Sequence, residues 1–271
     1  MGEDRSGGRP EGPSVSYPPP SSRRAPILAG RSPFSFRLQP SKTRAMTTPQ
    51  QPHGPLRSFG RLKSRPVKPR QQALLDTLLP EIAVPTGPFQ PLDLMPEAKA
   101  VWLEIGFGGG EHMASQAGRN PETLVIGAEP FVNGVASAVR HVEEQALKNV
   151  RIHEGDARDV VDWLPDACLD RVFIMFPDPW HKARHNKRRL IQPEFVAKLA
   201  RVMKPGAALR FATDWADYAE WTTERVLADP SFRFADEAAD RNAIPADHVT
   251  TRYEEKKLGD CAPVFLDFTR G

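Results

Sequence analysis

The sequence predicts an α/β fold: a doubly wound, mostly parallel sheet with one antiparallel closing strand. Three observations carry this. Past Pro96, short β-rich apolar runs alternate with helical patterns, as in a parallel sheet covered by helices on both faces. The first run enters a glycine loop and then a helix, V-W-L-E-I-G-F-G-G-G-E-H over 101–112. Acids stand at the ends of the runs that follow.

In chain order, residues 1–45 hold eight prolines, many Ser, Gly and Arg, and no periodic apolar pattern. Such a segment buries too little surface to offset its ordering entropy, and we expect a disordered leader over 1–56. Met46 followed by T-T-P-Q resembles a natural start, which would make 1–45 an upstream extension. The leader lacks the apolar core of a signal peptide. Six Lys/Arg and no acid lie between Arg57 and Arg70; these form either a phosphate-contacting arm or a solvated basic linker. A domain over 57–271 follows. Q-Q-A-L-L-D-T-L-L-P predicts a short amphipathic helix starting near Arg70. Strands are expected at 101–106, 123–128, 150–154, 171–176 and 207–213, and helices near 111–118, 131–147, 193–203 and 215–228. The terminal run P-V-F-L-D-F-T-R supplies the antiparallel strand.

Composition narrows the function classes. Charged residues make up 26% of the 271, and no apolar run approaches 18 residues, so no membrane span is expected. Cys168 and Cys261 are too few for a disulfide framework, fit a reducing cytoplasm, and have no metal-ligand spacing. The chain carries a net +3, but residues 1–45 have eight Lys/Arg against three Asp/Glu, leaving 46–271 at −2. Global charge therefore gives no argument for nucleic acid, and local charge has to.

The glycine loop lets a ligand approach the backbone closely at Gly106 and Gly108. A dinucleotide fingerprint needs glycine five positions after Gly106, where Glu111 stands. Glu104, just ahead of the loop, would repel phosphate and suits a cationic sulfonium with an amino-acid tail. Glu129 ends the second strand, 23 residues after Gly106, placed to accept from two ribose hydroxyls. Asp156, in G-D-A, ends the third and is placed for an adenine amino group. Each signal is common alone; in this order they point to S-adenosylmethionine.

The most specific stretch is F-P-D-P-W-H-K-A-R-H-N-K-R-R over 176–189. Pro177 and Pro179 stiffen the chain on either side of Asp178. Lys182, Arg184, Lys187, Arg188 and Arg189 follow as candidate phosphate grips, against the plainer reading of a solvated loop. Trp180 either packs under the loop or stacks on a base. His181 and His185 have zinc-like spacing but sit among repelling cations, so no metal is expected. Asp214, ending F-A-T-D, either contacts substrate or caps the next helix, or both. T-R-Y-E at 251–254 reads alone as a polar loop.

These motifs together resemble the bacterial tRNA (guanine-N7-)-methyltransferase family, class I S-adenosylmethionine-dependent enzymes with a Rossmann-like sheet. The resemblance runs from about Phe59 to the C-terminus, through E-I-G-F-G, G-A-E, G-D-A, the 176–189 stretch, F-A-T-D and T-R-Y-E. It implies methyl transfer to N7 of guanine 46 in the tRNA variable loop. It implies that Glu104, Glu129, Asp156 and Asp178 line the cofactor and catalytic site. Lys182, Asp214, Thr251, Arg252, Tyr253 and Glu254 would contact substrate, and Arg184 to Arg189 the RNA. A cytoplasmic monomer or homodimer is expected, with no obligate second subunit. Guanine N7 carries no proton, so Asp178 is expected to position the base and offset its growing charge, not to accept a proton. Two other classes compete: a methyltransferase of another substrate, which leaves the cations beside Asp178 unexplained, and a non-catalytic RNA-binding module, which predicts erosion of acids that are all present.

Overall fold

Six consecutive residues, Thr123–Ala128, are buried without alternation, the pattern of a strand covered on both faces. Around this β2 the computed structural model, which describes residues 66–271, builds a seven-stranded sheet in the order β3-β2-β1-β4-β5-β7-β6. The strands are β1 (Ala100–Ile105), β2, β3 (Val150–His153), β4 (Leu169–Met175), β5 (Met203–Thr213), β6 (Phe232–Phe234) and β7 (Val264–Arg270). Strands β1 to β5 are parallel, and β7 runs antiparallel to both β5 and β6. The expected fold class is thus the observed one. The leader and the cations at 57–65 lie outside the described residues.

Helices are α1 (Pro69–Ile82), α2 (Pro91–Leu94), α3 (Glu111–Arg119), α4 (Val132–Glu144), α5 (Ala157–Trp163), α6 (Pro193–Val202) and α7 (Ala216–Ala228). Helix α1 opens on Pro69, where a missing N–H leaves no bond unmade, and continues past Pro80 to Ile82. Its Leu74 and Ile82 pack with Val135 and Val139 of α4. Arg70, one of the cations expected in the basic arm, pairs with Glu143 of α4 at 2.8 Å instead. Helices α2 and α5 and strand β6 were not expected. Each is short, and the start of α5 had been spent on a ligand: Asp156 is its N-cap, accepting from the Arg158 N–H at 3.0 Å.

One face of the sheet packs Leu103, Ile105, Ile126, Val172 and Ile174 against residues of α5 to α7, including Val160, Phe195, Leu199 and Tyr218. Burial of each such large apolar side chain contributes about 1.5–3 kcal/mol. The opposite face is covered differently at its two ends. Over β1 to β3 lie α3, α4 and α1, with Phe107 and Met113 in the core. Over β4, β5 and β7 lies an irregular strap, residues 235–263, above Phe173, Ala212 and Phe265. The strap is pinned by charge: Asp247 pairs with Arg171 of β4 (2.9 Å) and with Arg210 of β5. Gln116 and Arg119 of α3 donate to the Asp247 carbonyl at 2.7 and 3.0 Å. The strand order reverses between β1 and β4, the switch point at whose carboxyl ends open α/β sheets form their ligand crevice.

Candidate active site

Five strand ends converge at this crevice. After β1 the chain turns through Gly106, Gly108 and Gly110, all at positive φ (70°, 55° and 81°). A Cβ at Gly106 or Gly108 would meet nothing within 4 Å, so open space adjoins the loop. On its other side α4 presses close, and a Cβ at Gly134 would strike the Gly108 carbonyl.

Glu129, at the end of β2, is buried. Its two carboxylate oxygens accept from the Gly108 and Phe131 N–H groups, each at 2.9 Å. Burial raises its pKa, those two bonds oppose the rise, and the charge of Asp178 adds to it. Asp156 holds α5 through one oxygen and the Arg158 guanidinium through the other, at 2.8 Å. Glu104 is sealed at 1% exposure, with His112 Nδ1 at 2.6 Å from its Oε2. Gln116 Nε2 donates to the Asp247 carbonyl and lies 3.2 Å from His112 Nε2, so Nδ1 of His112 carries the proton and donates to Glu104. Glu104 thus meets the crevice from behind a filled network, and His112 and Gln116 are members of the site that its motifs did not announce.

Asp178 follows β4 in a turn under strain. Phe176 (φ 51°) and Trp180 (φ 43°) adopt left-handed geometry that bulky residues rarely take. The Phe176 N–H is held by the Ala212 carbonyl at 2.8 Å. The Asp178 side chain is exposed, yet the protein around it raises its carboxyl pKa through desolvation alone.

The cationic run divides. Ala183–Arg188 forms a 3-10 helix, and Lys182, Arg184 and Lys187 are exposed. Arg188 lies 5.0 Å from the Trp180 ring, which takes the indole into the loop's own packing. Arg189, expected on the RNA-contacting run, is instead 1% exposed and held by protein partners. Among the described residues no group of three or more His, Cys, Asp or Glu could hold a metal ion. Burial pushes the thiols of Cys168 and Cys261 up to about 11.

Asp214, after β5, is buried and accepts from the Tyr253 hydroxyl at 3.2 Å. It does not cap α7: the N-cap is Trp215, and Asp260 of the strap accepts from the Ala216 N–H at 2.9 Å. T-R-Y-E is a reciprocal capping turn. The Thr251 N–H donates to Glu254 Oε2 (2.8 Å), and the Glu254 N–H to Thr251 Oγ1 (3.4 Å). Glu254 Oε1 lies 2.8 Å from His248 Nε2. Thr251 and Glu254 thus build the turn that presents the other two. Tyr253 lies 5.7 Å from the Phe176 ring, its hydroxyl pKa pushed up to about 12 by burial. Arg252 reaches Glu111 at the start of α3, 3.0 Å away.

The chain matches a family model described as "Putative methyltransferase" over residues 98–265. Among curated proteins, the tRNA (guanine-N(7)-)-methyltransferase of Caulobacter sp. (strain K31) is 87% identical, over 83% of this chain and 100% of that protein. That of Hyphomonas neptunium is 50% identical, over 79% and 99%. That of Rhodospirillum rubrum is 42% identical, over 82% and 91%.

Proposed function

Because this chain belongs to the tRNA (guanine-N(7)-)-methyltransferase family, we propose that it methylates N7 of guanine 46 in the tRNA variable loop, with S-adenosylmethionine as methyl donor. The observation that supports this most is the strained turn that sets an exposed Asp178 just past the carboxyl end of β4, with Lys182, Arg184 and Lys187 exposed beside it.

The crevice fits the cofactor. Open space beside Gly106 and Gly108 admits a ligand against the backbone. Glu129 keeps lone pairs for two ribose hydroxyls after its two backbone bonds. Asp156 keeps the same capacity toward an adenine amino group, and Glu104 places negative charge behind the loop for a methionine ammonium. When bound, S-adenosylmethionine supplies an electrophilic methyl on a sulfonium.

The rest falls to this chain's residues. Guanine N7 offers an in-plane lone pair and carries no proton, so no general base is required. Asp178 accepts from the guanine N1–H and amino group, orients the ring, and offsets the positive charge that grows on the purine. Asp214 fixes the Tyr253 hydroxyl, and Tyr253 with Phe176 forms an aromatic wall for the base. Lys182, Arg184 and Lys187 hold phosphates, Arg184 and Lys187 sharing one face of the 3-10 helix at i, i+3. No helix among the described residues is long and apolar enough to cross a membrane. We place the reaction in the cytoplasm, by a monomer or homodimer without a second kind of subunit.

The test is methyl transfer from labelled S-adenosylmethionine to unmodified tRNAs that differ only in guanine or 7-deazaguanine at position 46. Label in the guanine form alone is expected. Equal label in both would overturn the N7 assignment.

A further inference from the structure

Arg189 ends the cationic run but is used inside the protein. Its Nε donates to the Pro179 carbonyl at 2.8 Å, one residue beyond Asp178. Its Nη2 donates to Asp217 Oδ2 of α7 at 2.6 Å, and its Nη1 lies 3.5 Å from the Asp217 carbonyl. The guanidinium lies 4.7 Å from the Tyr218 ring and 5.0 Å from the Trp221 ring, both on α7. One side chain thus ties the turn carrying Asp178 to a helix packed in the core.

The turn needs such a tie. Phe176 and Trp180, at positive φ on either side of Asp178, hold a conformation that persists only when the surroundings over-determine it. At one end Ala212 accepts from the Phe176 N–H. At the other, Arg189 holds Pro179. Asn186, with its amide nitrogen turned toward the carbonyls, donates to Trp180 O at 3.0 Å and Lys182 O at 3.2 Å. Gln192 in turn donates to the Asn186 and Arg189 carbonyls at 2.9 and 3.1 Å. A guanidinium fork can hold a carbonyl and a carboxylate at once while lying against aromatic faces; a lysine ammonium on its flexible stem cannot reproduce that geometry.

We propose that Arg189 is a positioning residue for methyl transfer: it clamps the Pro179 carbonyl to α7 and so keeps the strained turn aiming Asp178 at the guanine. This rests on the role given to Asp178 above. Wild-type transfer to guanine-46 tRNA is therefore measured first, and its absence would sink that role before any variant is compared.

Arg189→Lys keeps the charge and removes the fork. At saturating tRNA and cofactor its kcat should fall by about tenfold to 100-fold, the range a displacement of about 1 Å can produce. Cofactor Kd, KM for tRNA and the slope of log affinity against log salt should stay as in the wild type. Arg184→Ala is the contrast, and should flatten that slope by about 0.7–0.9, one phosphate contact. Asp217→Asn leaves the Pro179 bond and weakens its anchor, so a smaller fall in kcat at an unchanged melting temperature is expected. It decides the matter if Arg189→Lys does not fold. The proposal is overturned if Arg189→Lys turns over at the wild-type rate, if it flattens the salt slope as Arg184→Ala does, or if Asp217→Asn leaves kcat untouched.

Discussion

The two halves of the crevice are built on different principles. On the side of β1 to β3 two acids hold backbone: Glu129 fixes the glycine loop through the Gly108 N–H and the start of α4 through the Phe131 N–H, and Asp156 caps the helix that follows it. On the side of β4, β5 and the strap, side chains hold side chains: Asp247 with Arg171 and Arg210, Tyr253 with Asp214, His248 with Glu254. A cofactor is the same molecule at every turnover, and a rigid backbone cradle suits it. A large nucleic acid must enter and leave, and a strap fastened by charges suits that.

The contrast can be broken most sharply at Asp178. On the proposed mechanism Asp178→Asn removes a fixed charge aimed at the transition state and should lower kcat by about 100-fold, while cofactor affinity measured by calorimetry stays within about threefold of wild type. Full turnover by this variant would remove Asp178 from the mechanism. The wild type should also show an acid limb in kcat/KM. The desolvated carboxyl protonates above the ordinary aspartate value of 3.8, so activity falls as pH drops through that raised pKa. The limb should vanish in Asp178→Asn.

A change on the cofactor side should act in the opposite sense. Glu129→Gln sets an amide donor against the Gly108 or Phe131 N–H, and hydrogen bonds to charged groups contribute about 1.5–3 kcal/mol. Cofactor Kd should rise by about tenfold to 100-fold, a larger effect than on kcat at saturating cofactor. A variant with unchanged Kd would show that the loop does not depend on this carboxylate.

The strap gives the smallest effect. Burial opposes ionisation of Asp247, but Arg210 and Arg171 outweigh it and hold the carboxyl below 3.8. A depressed carboxylate stabilises the fold above its unfolded pKa, and that stabilisation is lost as pH falls through the folded value. Hydrogen-exchange protection over 235–263, relative to the intrinsic rate at each pH, should therefore fall below about pH 4 in the wild type. Asp247→Ala should show fast exchange already at neutral pH, with about 1–2 kcal/mol lost from local opening. Slow exchange in the variant would mean that the remaining strap contacts suffice.

How much of this the sequence disclosed follows the same divide. The glycine loop and the strand-end places of Glu129 and Asp156 were legible because each is a local signal at the end of an apolar run, and the sheet followed from the spacing of those runs; the capping role of Asp156 was not. Asp178 was legible from its two prolines. The destination of Arg189 was not, because its carboxylate partner stands 28 residues on. Nor was the role of Asp247, whose Arg210 partner is 37 residues away. T-R-Y-E carried the local pattern of a capping box, but the three-residue 3-10 helix that its turn runs into has no apolar period to mark a helix start. Asp214 misled because an acid before a helical pattern reads as a cap. Asp260, 44 residues from Ala216, accepts from that N–H instead.

Strand β7 has a consequence for how the molecule is made. It follows β6 and the strap in sequence, yet it sits between β5 and β6 and supplies Asp267, 2.7 Å from the Arg210 guanidinium. Ribosomal synthesis delivers β1 to β6 first and this wedge only after the strap. Until then β5 has an open edge and the strap has no far end, so a nascent chain can assemble the glycine loop and its Glu129 contact before the strap is anchored.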